Sequence, residues 1–336
     1  MMRPKLAFAM SPEKTLHVFD AGLLDRLAAC CDVLSPKPLQ DLASADNRRM
    51  LAETEVLVTG WGCPMLGPEI LRSAPKLRLI AHAAGTVKFT VDPSAYDRGI
   101  RVTHAAEANA VPVAEFTLAA ILFAHKRIFE FRDLYRADSS RRSTHTLMDG
   151  NVGNFRRTVG LVGASRIGRK VVTMLRGFDF TVLLYDPFVQ PGDPVTEGAE
   201  LVDLDILMAR SDVVSIHAPS LPNNRAMIGA RQLRLMADGA TFINTARGAL
   251  VDEAALLAEL QTGRIQAVID VTDPEIPAPS SPFFTLPNVF LTPHIAGAIG
   301  TERGRLGLMA VEEVERFVRG EPLLYEVEPA LLERLA

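Results

Sequence analysis

Three short stretches of the 336-residue chain put reactive side chains where a small carbonyl acid could be handled. "TFINTARGALVDEAAL" sets Arg247 after an apolar run and before a helix-like pattern, with Gly248 allowing a tight turn. "AVIDVTDPEIP" closes a second apolar run with Asp270 and carries Glu275 five residues on. "NVFLTPHIAGA" closes a third with His294, followed by Gly297. A guanidinium grips a carboxylate in bidentate fashion. An imidazole exchanges a proton with an adjacent hydroxyl or carbonyl, and a neighbouring carboxylate orients the ring and stabilises its charged form. Converging at one place, these three groups suit proton-coupled chemistry on a carbonyl next to a carboxylate.

A fourth stretch, "TVGLVGASRIGRKVV" from Thr158 to Val172, holds the parts of a dinucleotide-binding turn: apolar strand, glycine turn, basic helix start. Gly163 and Gly168 occupy the outer positions of G-x-G-x-x-G, but the middle position is Ser165. Its Cβ would push a pyrophosphate back slightly, while its hydroxyl can donate to a phosphate oxygen. The next apolar run, "FTVLLYD", ends at Asp186, just over 20 residues beyond Gly163. A carboxylate there accepts hydrogen bonds from an adenosine ribose and repels a 2′-phosphate, which favours NAD over NADP. Arg166 and Arg169 fall in the first helical turn, facing phosphate or solvent. By itself the stretch reads either as a cofactor turn or as a plain strand-turn-helix crossover whose glycines serve packing.

These residues need strands to carry them. "KLAFAM", "CDVLS", "EVLVTG", "LRLIAHA" and "IRVTHA" read as strands in the first part of the chain. "TVGLVG", "FTVLLYD", "DVVSIHA", "ATFINTA", "QAVIDV" and "NVFLTPH" follow in the second, as near-continuous apolar runs suited to parallel strands buried on both faces. Helical patterns fall between them. "LHVFDAGLLDRLAA" is one, and Pro112 to Ala137 is a longer one with proline in its first turn. The clearest runs from Asp252, a plausible N-cap, to about Thr262, with Gly263 as its stop. A polar arm spans Asp138 to Gly150, and a last helix, "TERGRLGLMAVEEVERFVRG", has room to cross back to the first part. Alternating βα units on this scale predict two doubly wound α/β domains, with Arg247, Glu275 and His294 at carboxyl ends of strands in one sheet.

Composition narrows the function classes. Hydrophobic residues make up 48% of the chain, ample for a core, and the net charge of −4 offers no electrostatic support for a nucleic-acid partner. Three cysteines without disulfide or metal-ligand spacing point to a reducing compartment, and no metal is expected. The apolar run at the N-terminus is too short for a signal-peptide core or a membrane span. The expectation is a cytoplasmic protein with no membrane partner.

Between about Leu77 and Gly300 the chain resembles the D-isomer-specific 2-hydroxyacid dehydrogenases, on "NAVPVAEFTLAAIL", "VGASRIGR", "HAPSLPNNRAMI", "INTARGALVDEAAL" and "LTPHIAG". The resemblance implies a Rossmann NAD-binding domain, residues 108–300, inserted in a flavodoxin-like substrate domain of residues 1–107 plus 301–336. It implies reversible hydride transfer between NAD and a small 2-oxo or D-2-hydroxy acid, of hydroxypyruvate, glyoxylate or phosphoglycerate type. Arg247 would bind the substrate carboxylate and carbonyl oxygen, His294 would be the general acid and Glu275 its partner. Gly163, Ser165, Arg166, Ile167, Asp186, His217, Pro219, Thr245, Ala246, Asp270 and Gly297 would meet the cofactor, Asp270 at the nicotinamide carboxamide. Ala84, Gly85, Thr86 and Asn109 would meet the substrate. A homodimer through the cofactor domains is implied too. Apart from the resemblance, feedback control through a domain appended after Ala336 is not expected. The alternative from another class is an NAD(H)-sensing regulatory binding protein on the same fold. The chain departs from the family pattern at Ser165, at the substrate loop with its Lys88 and Phe89, and at Thr272, where an aromatic residue is usual.

Overall fold

In the computed structural model, which describes residues 3–139, 141–142 and 144–330, the apolar runs form two all-parallel sheets. The chain divides into one unit of Met1–Ala110 with Ala298–Ala336 and a second of Val111–Gly297. Residues 140 and 143 of the arm expected between Asp138 and Gly150, and residues 331–336 of the expected C-terminal segment, lie outside the described residues.

The first unit holds β1 (Lys5–Ala9), β2 (Asp32–Val33), β3 (Val56–Thr59), β4 (Leu79–His82) and β5 (Arg101–His104), in the order β2-β1-β3-β4-β5. This is the flavodoxin-like order, which reverses direction between β1 and β3. Alternate side chains feed two cores. Ala7, Leu57, Ile80 and Val102 face Leu51, Leu71 and Val91 on one side. Leu6, Phe8, Val58 and Leu79 face Leu27, Val311 and Val314 on the other. The last two belong to the helix Arg303–Arg319, which does return to the first part of the chain and stops at Gly320, φ 70°. Its Gly307 lies so close to the turn after Val18 that a Cβ would sit 1.9 Å from the Val18 carbonyl oxygen. The stretch "LHVFDAGLLDRLAA" is not one helix but parts of two, Pro12–Val18 and Ala21–Cys30. Asp20 interrupts it because its carboxylate caps the second, accepting from the Leu23 amide at 2.8 Å.

The second unit holds β6 (Thr158–Val162), β7 (Thr181–Tyr185), β8 (Glu200–Leu201), β9 (Val213–Ile216), β10 (Thr241–Asn244), β11 (Gln266–Ile269) and β12 (Val289–Leu291). Their order is β12-β11-β10-β9-β6-β7-β8. This is the Rossmann order extended by one edge strand, with its switch point between β6 and β9. The edge strand β8 is two residues long, too short to leave a periodic trace in the sequence.

The long helical pattern starts earlier than expected and breaks. Its first helix is Ala106–His125, with Pro112 inside it, and a second runs over Ile128–Asp138. Proline removes a single backbone donor, and the alanine-rich turn ahead of it stays helical regardless. The break comes at Arg127, left-handed at φ 47°, whose side chain pairs with Glu130. Among the described helices, Ala106–His125 alone is long and apolar enough to span a bilayer, and more than half of it is buried within the fold.

Three of the buried histidines set a pH limit on this fold. Burial pushes His82 and His125 down to about 4, helped by His104 and Arg157 respectively, and pushes His217 down to about 3. As pH falls through the ordinary histidine range, near 6.5, the unfolded chain takes up a proton on each and the folded chain does not. Stability is therefore expected to fall between pH 6.5 and about 4, by up to ~1.4 kcal/mol per pH unit for each histidine. Urea midpoints at pH 7, 6 and 5 measure this, and His125→Gln should flatten the slope. Constant or rising stability over that range would mean the rings are protonated in the fold.

Candidate active site

The glycine turn is built by contacts that exclude a side chain. β6 runs into Gly163 at φ 103°, where a Cβ would sit 2.5 Å from the Ala218 nitrogen, just past β9. At Gly168 a Cβ would sit 2.1 Å from the Gly163 carbonyl oxygen, so this residue lets the helix Arg166–Leu175 press onto the strand. Ser165 between them has an ordinary extended backbone, φ −64° and ψ 179°, and its Oγ accepts from the Gly168 amide at 3.4 Å as helix N-cap. The middle position therefore demands no glycine conformation, and the capping hydroxyl keeps its own hydrogen for another acceptor.

Asp186, at the end of β7, accepts from the Ala164 amide at 2.7 Å and the Phe188 amide at 2.8 Å. Ile167 packs into the core and Arg166 is exposed. Arg169 departs from the phosphate reading: it donates to the Ala164 carbonyl and forks onto Asp193 at 2.6 and 2.9 Å, which makes it a brace of the turn. His217 lies buried with Nε2 3.0 Å from Ser215 Oγ, while its buried Nδ1 has no hydrogen-bond partner among the described residues. The carbonyl of Pro219 accepts from Asn224. A turn whose two outer glycines leave no room for a Cβ, a helix N-terminus and a carboxylate at the next strand end fit the pyrophosphate and ribose of a dinucleotide.

β10 delivers Thr245, Ala246 and Arg247. The Asn244 side chain brackets that turn, accepting from the Ala246 amide at 3.1 Å and donating to the Arg247 carbonyl at 3.0 Å. Thr245 is buried, its hydroxyl 3.1 Å from that of Thr117. Arg247 is half-buried and donates to the Ala246 carbonyl. Burial lowers its pKa, and the nearby Glu275 carboxylate opposes that shift. Gly248 lets this turn meet the one after β11: a Cβ would lie 2.1 Å from the Thr272 carbonyl carbon.

β11 delivers Asp270, and here the structure adds a role in holding the neighbouring turn. The carboxylate, 2% exposed, accepts from Thr292 Oγ1 at 2.6 Å and from the amides of Ile295 and Ala296 at 2.8 and 2.9 Å. Its own carbonyl accepts from the His294 amide at 2.9 Å. Asp270 thus holds the turn after β12, in which His294 sits at φ 55°, and its carboxylate, with three donors on two oxygens, keeps acceptor capacity. His294 Nδ1 contacts Glu275 Oε1 directly, and both side chains are about half exposed, 46% and 56%. A carboxylate only accepts, so Nδ1 carries the hydrogen of that contact and Nε2 is left to exchange a proton with a substrate. Gly297 ends this unit.

The remaining expected residues lie in the first unit. The Ala84 carbonyl accepts from the Ala105 amide at 2.9 Å. The amides of Gly85 and Thr86 donate to no acceptor among the described residues. Asn109 Oδ1 accepts from the Ala298 amide at 3.1 Å, and its Nδ2 is 3.4 Å from where a Gly85 Cβ would be. Ala84, Gly85, Thr86 and Asn109 thus form one cluster. Lys88 and Phe89 are exposed beside it. In the second unit, two residues not singled out for the site carry part of it: Asn244, visible only as a polar residue ending an apolar run, and Thr272, visible only as a missing aromatic.

Residues 118–296 match the profile of the D-isomer specific 2-hydroxyacid dehydrogenase NAD binding domain. The chain belongs to that family. It is 36% identical over 255 residues to a glyoxylate reductase of Korarchaeum cryptofilum, covering 75% of this chain and 76% of that one. It is also 36% identical over 255 residues to the D-3-phosphoglycerate dehydrogenase of Mycobacterium leprae. That alignment covers 75% of this chain but 47% of the relative, so the chain spans about half the length of the phosphoglycerate dehydrogenases it matches. Among solved structures, a protein from Thermus thermophilus is similar, with a TM-score of 0.77, 29% identity, and coverage of 96% of this chain and 100% of that one.

Proposed function

We propose that the protein is an NAD-dependent oxidoreductase that interconverts a small 2-oxo acid and a D-2-hydroxy acid in the cytoplasm. The observation that carries this reading is the His294–Glu275 contact at the same sheet edge as Arg247 and the Gly163–Asp186 cradle. When bound, the nicotinamide supplies or takes up the hydride at C2. Arg247 holds the carboxylate and polarises the carbonyl. His294 Nε2 delivers the proton to the carbonyl oxygen in reduction and takes it back in oxidation, while Glu275 fixes the ring through Nδ1. The two open amides at Gly85 and Thr86 offer donors to an anion. Reactive groups held in register favour an enzyme over a sensor that only binds NAD(H). Homodimer formation through the second unit is part of the proposal: the helix Ile128–Asp138 has no buried residue, yet displays Ile128 and Tyr135.

The test is oxidation of NADH, followed by absorbance, against a panel of glyoxylate, hydroxypyruvate, pyruvate, phosphohydroxypyruvate and bulkier 2-oxo acids, with NADPH in parallel. Turnover with NADH and little with NADPH is expected, and Asp186→Ser should narrow that difference because it removes the charge that repels a 2′-phosphate. NADH binding without turnover of any acid would favour the sensor. A preference for NADPH in the unmodified protein would overturn the role given to Asp186.

A further inference from the structure

We infer that Thr272 is a positioning residue for the proton-transfer pair, acting through Glu275; this rests on the reductase reading above. Thr272 follows β11 and is 6% exposed. Its Oγ1 lies 2.8 Å from the Pro274 carbonyl and 3.1 Å from the Glu275 carbonyl, so one hydroxyl hydrogen is shared between two acceptors. Among the described residues no other donor reaches those two carbonyls.

The geometry around it explains why this matters. The base of the turn is clamped from several directions. Gly248 presses against the backbone of Thr272 and Asp273, Glu253 accepts from the Asp273 amide at 3.1 Å, and Arg225 pairs with the Asp273 carboxylate at 2.6 Å. Glu275 lies beyond that clamp. Its side chain is 56% exposed and touches His294, so no packed core holds it in place. The forward reach of the Thr272 hydroxyl is the link between the clamped base and the residue that orients the imidazole. A phenylalanine here would supply no donor to either carbonyl. Serine keeps the hydroxyl, while valine keeps the shape and loses it.

The experiment compares Thr272→Val, Thr272→Ser, Glu275→Gln and the Thr272→Val/Glu275→Gln double variant, by steady-state kinetics and by the ring ¹H–¹³C correlation of His294, assigned through its absence in His294→Ala. Thr272→Val should lose about 3- to 10-fold in kcat with KM and NADH affinity nearly unchanged. The double variant should be no slower than Glu275→Gln alone, because both changes act through one contact. In Thr272→Val the His294 signal should move along the line from wild type toward Glu275→Gln, and in Thr272→Ser it should stay in place. A His294 signal indifferent to Thr272→Val, or a loss that Thr272→Ser shares in full, would overturn the inference. Thr272→Ala replaces the valine variant if that one does not fold. The signal is read without substrate. Absence of turnover on every acid would therefore sink the reductase reading while the His294 measurement still judged Thr272.

Discussion

Replacing His294 with alanine is expected to lower kcat by about two to four orders of magnitude, the usual contribution of a positioned acid–base group, and to leave NADH binding intact. The separation follows from how the residue is held. Its ring contacts Glu275 and is 46% exposed, so no core collapses when it is removed. The turn that carries it is held through the backbone, by Asp270 reaching the amides of Ile295 and Ala296 and accepting from the His294 amide itself. One complication is the left-handed backbone at φ 55°, which alanine tolerates less well than histidine or asparagine. His294→Asn keeps that conformation and should show the same loss of kcat. Fluorescence titration with NADH and single-turnover reduction separate the two functions. If alanine abolishes NADH binding in a folded protein, the ring belongs to the cofactor site. If either variant retains turnover, the proton comes from another group.

How far this site could be read from the chain depends on the kind of interaction. Arg247, Asp270 and His294 stand out because a charged or titratable residue closing an apolar run announces a strand end, and doubly wound sheets bind ligands there. Glu275 became a candidate only by its place after such a run. What could not be read were bonds between segments. The oxygens of Asp270 accept from amides 25 and 26 residues away, a pairing that its type and place in the chain do not foretell. Arg169 reads as facing phosphate or solvent until Asp193, 24 residues on, claims it. Gly248 and Thr272 meet backbone to backbone across two loops, and neither residue type foretells that. Helix breaks were hidden for a related reason. At Asp20 and Arg127 apolar spacing continues through the break, and the stop is made by a cap in one case and a left-handed residue in the other.

The glycine turn separates the two outer positions of its motif from the middle one, and substitution should expose the difference. Gly163→Ala puts a methyl 2.5 Å from the Ala218 nitrogen and 2.8 Å from the His217 carbonyl carbon, both of them backbone atoms, at φ 103°. Overpacking against backbone adds to conformational strain, so a loss of about 3 kcal/mol or more is expected, a fall in Tm of roughly 10 °C. NADH binding should be lost with it, because relief of the clash must move either the turn or the end of β9. Ser165→Gly should do little. The residue sits at φ −64°, glycine caps a helix only a few tenths of a kcal/mol less well than serine, and removing its Cβ opens the approach for a pyrophosphate. Thermal melts and NADH titrations of the two variants, side by side, decide the matter. A tolerated Gly163→Ala would mean that β6 and β9 can part without harm to the cofactor site. A Ser165→Gly variant that loses NADH affinity would mean that the serine hydroxyl itself binds the phosphate, and that the middle glycine has been exchanged for a ligand rather than merely for a cap.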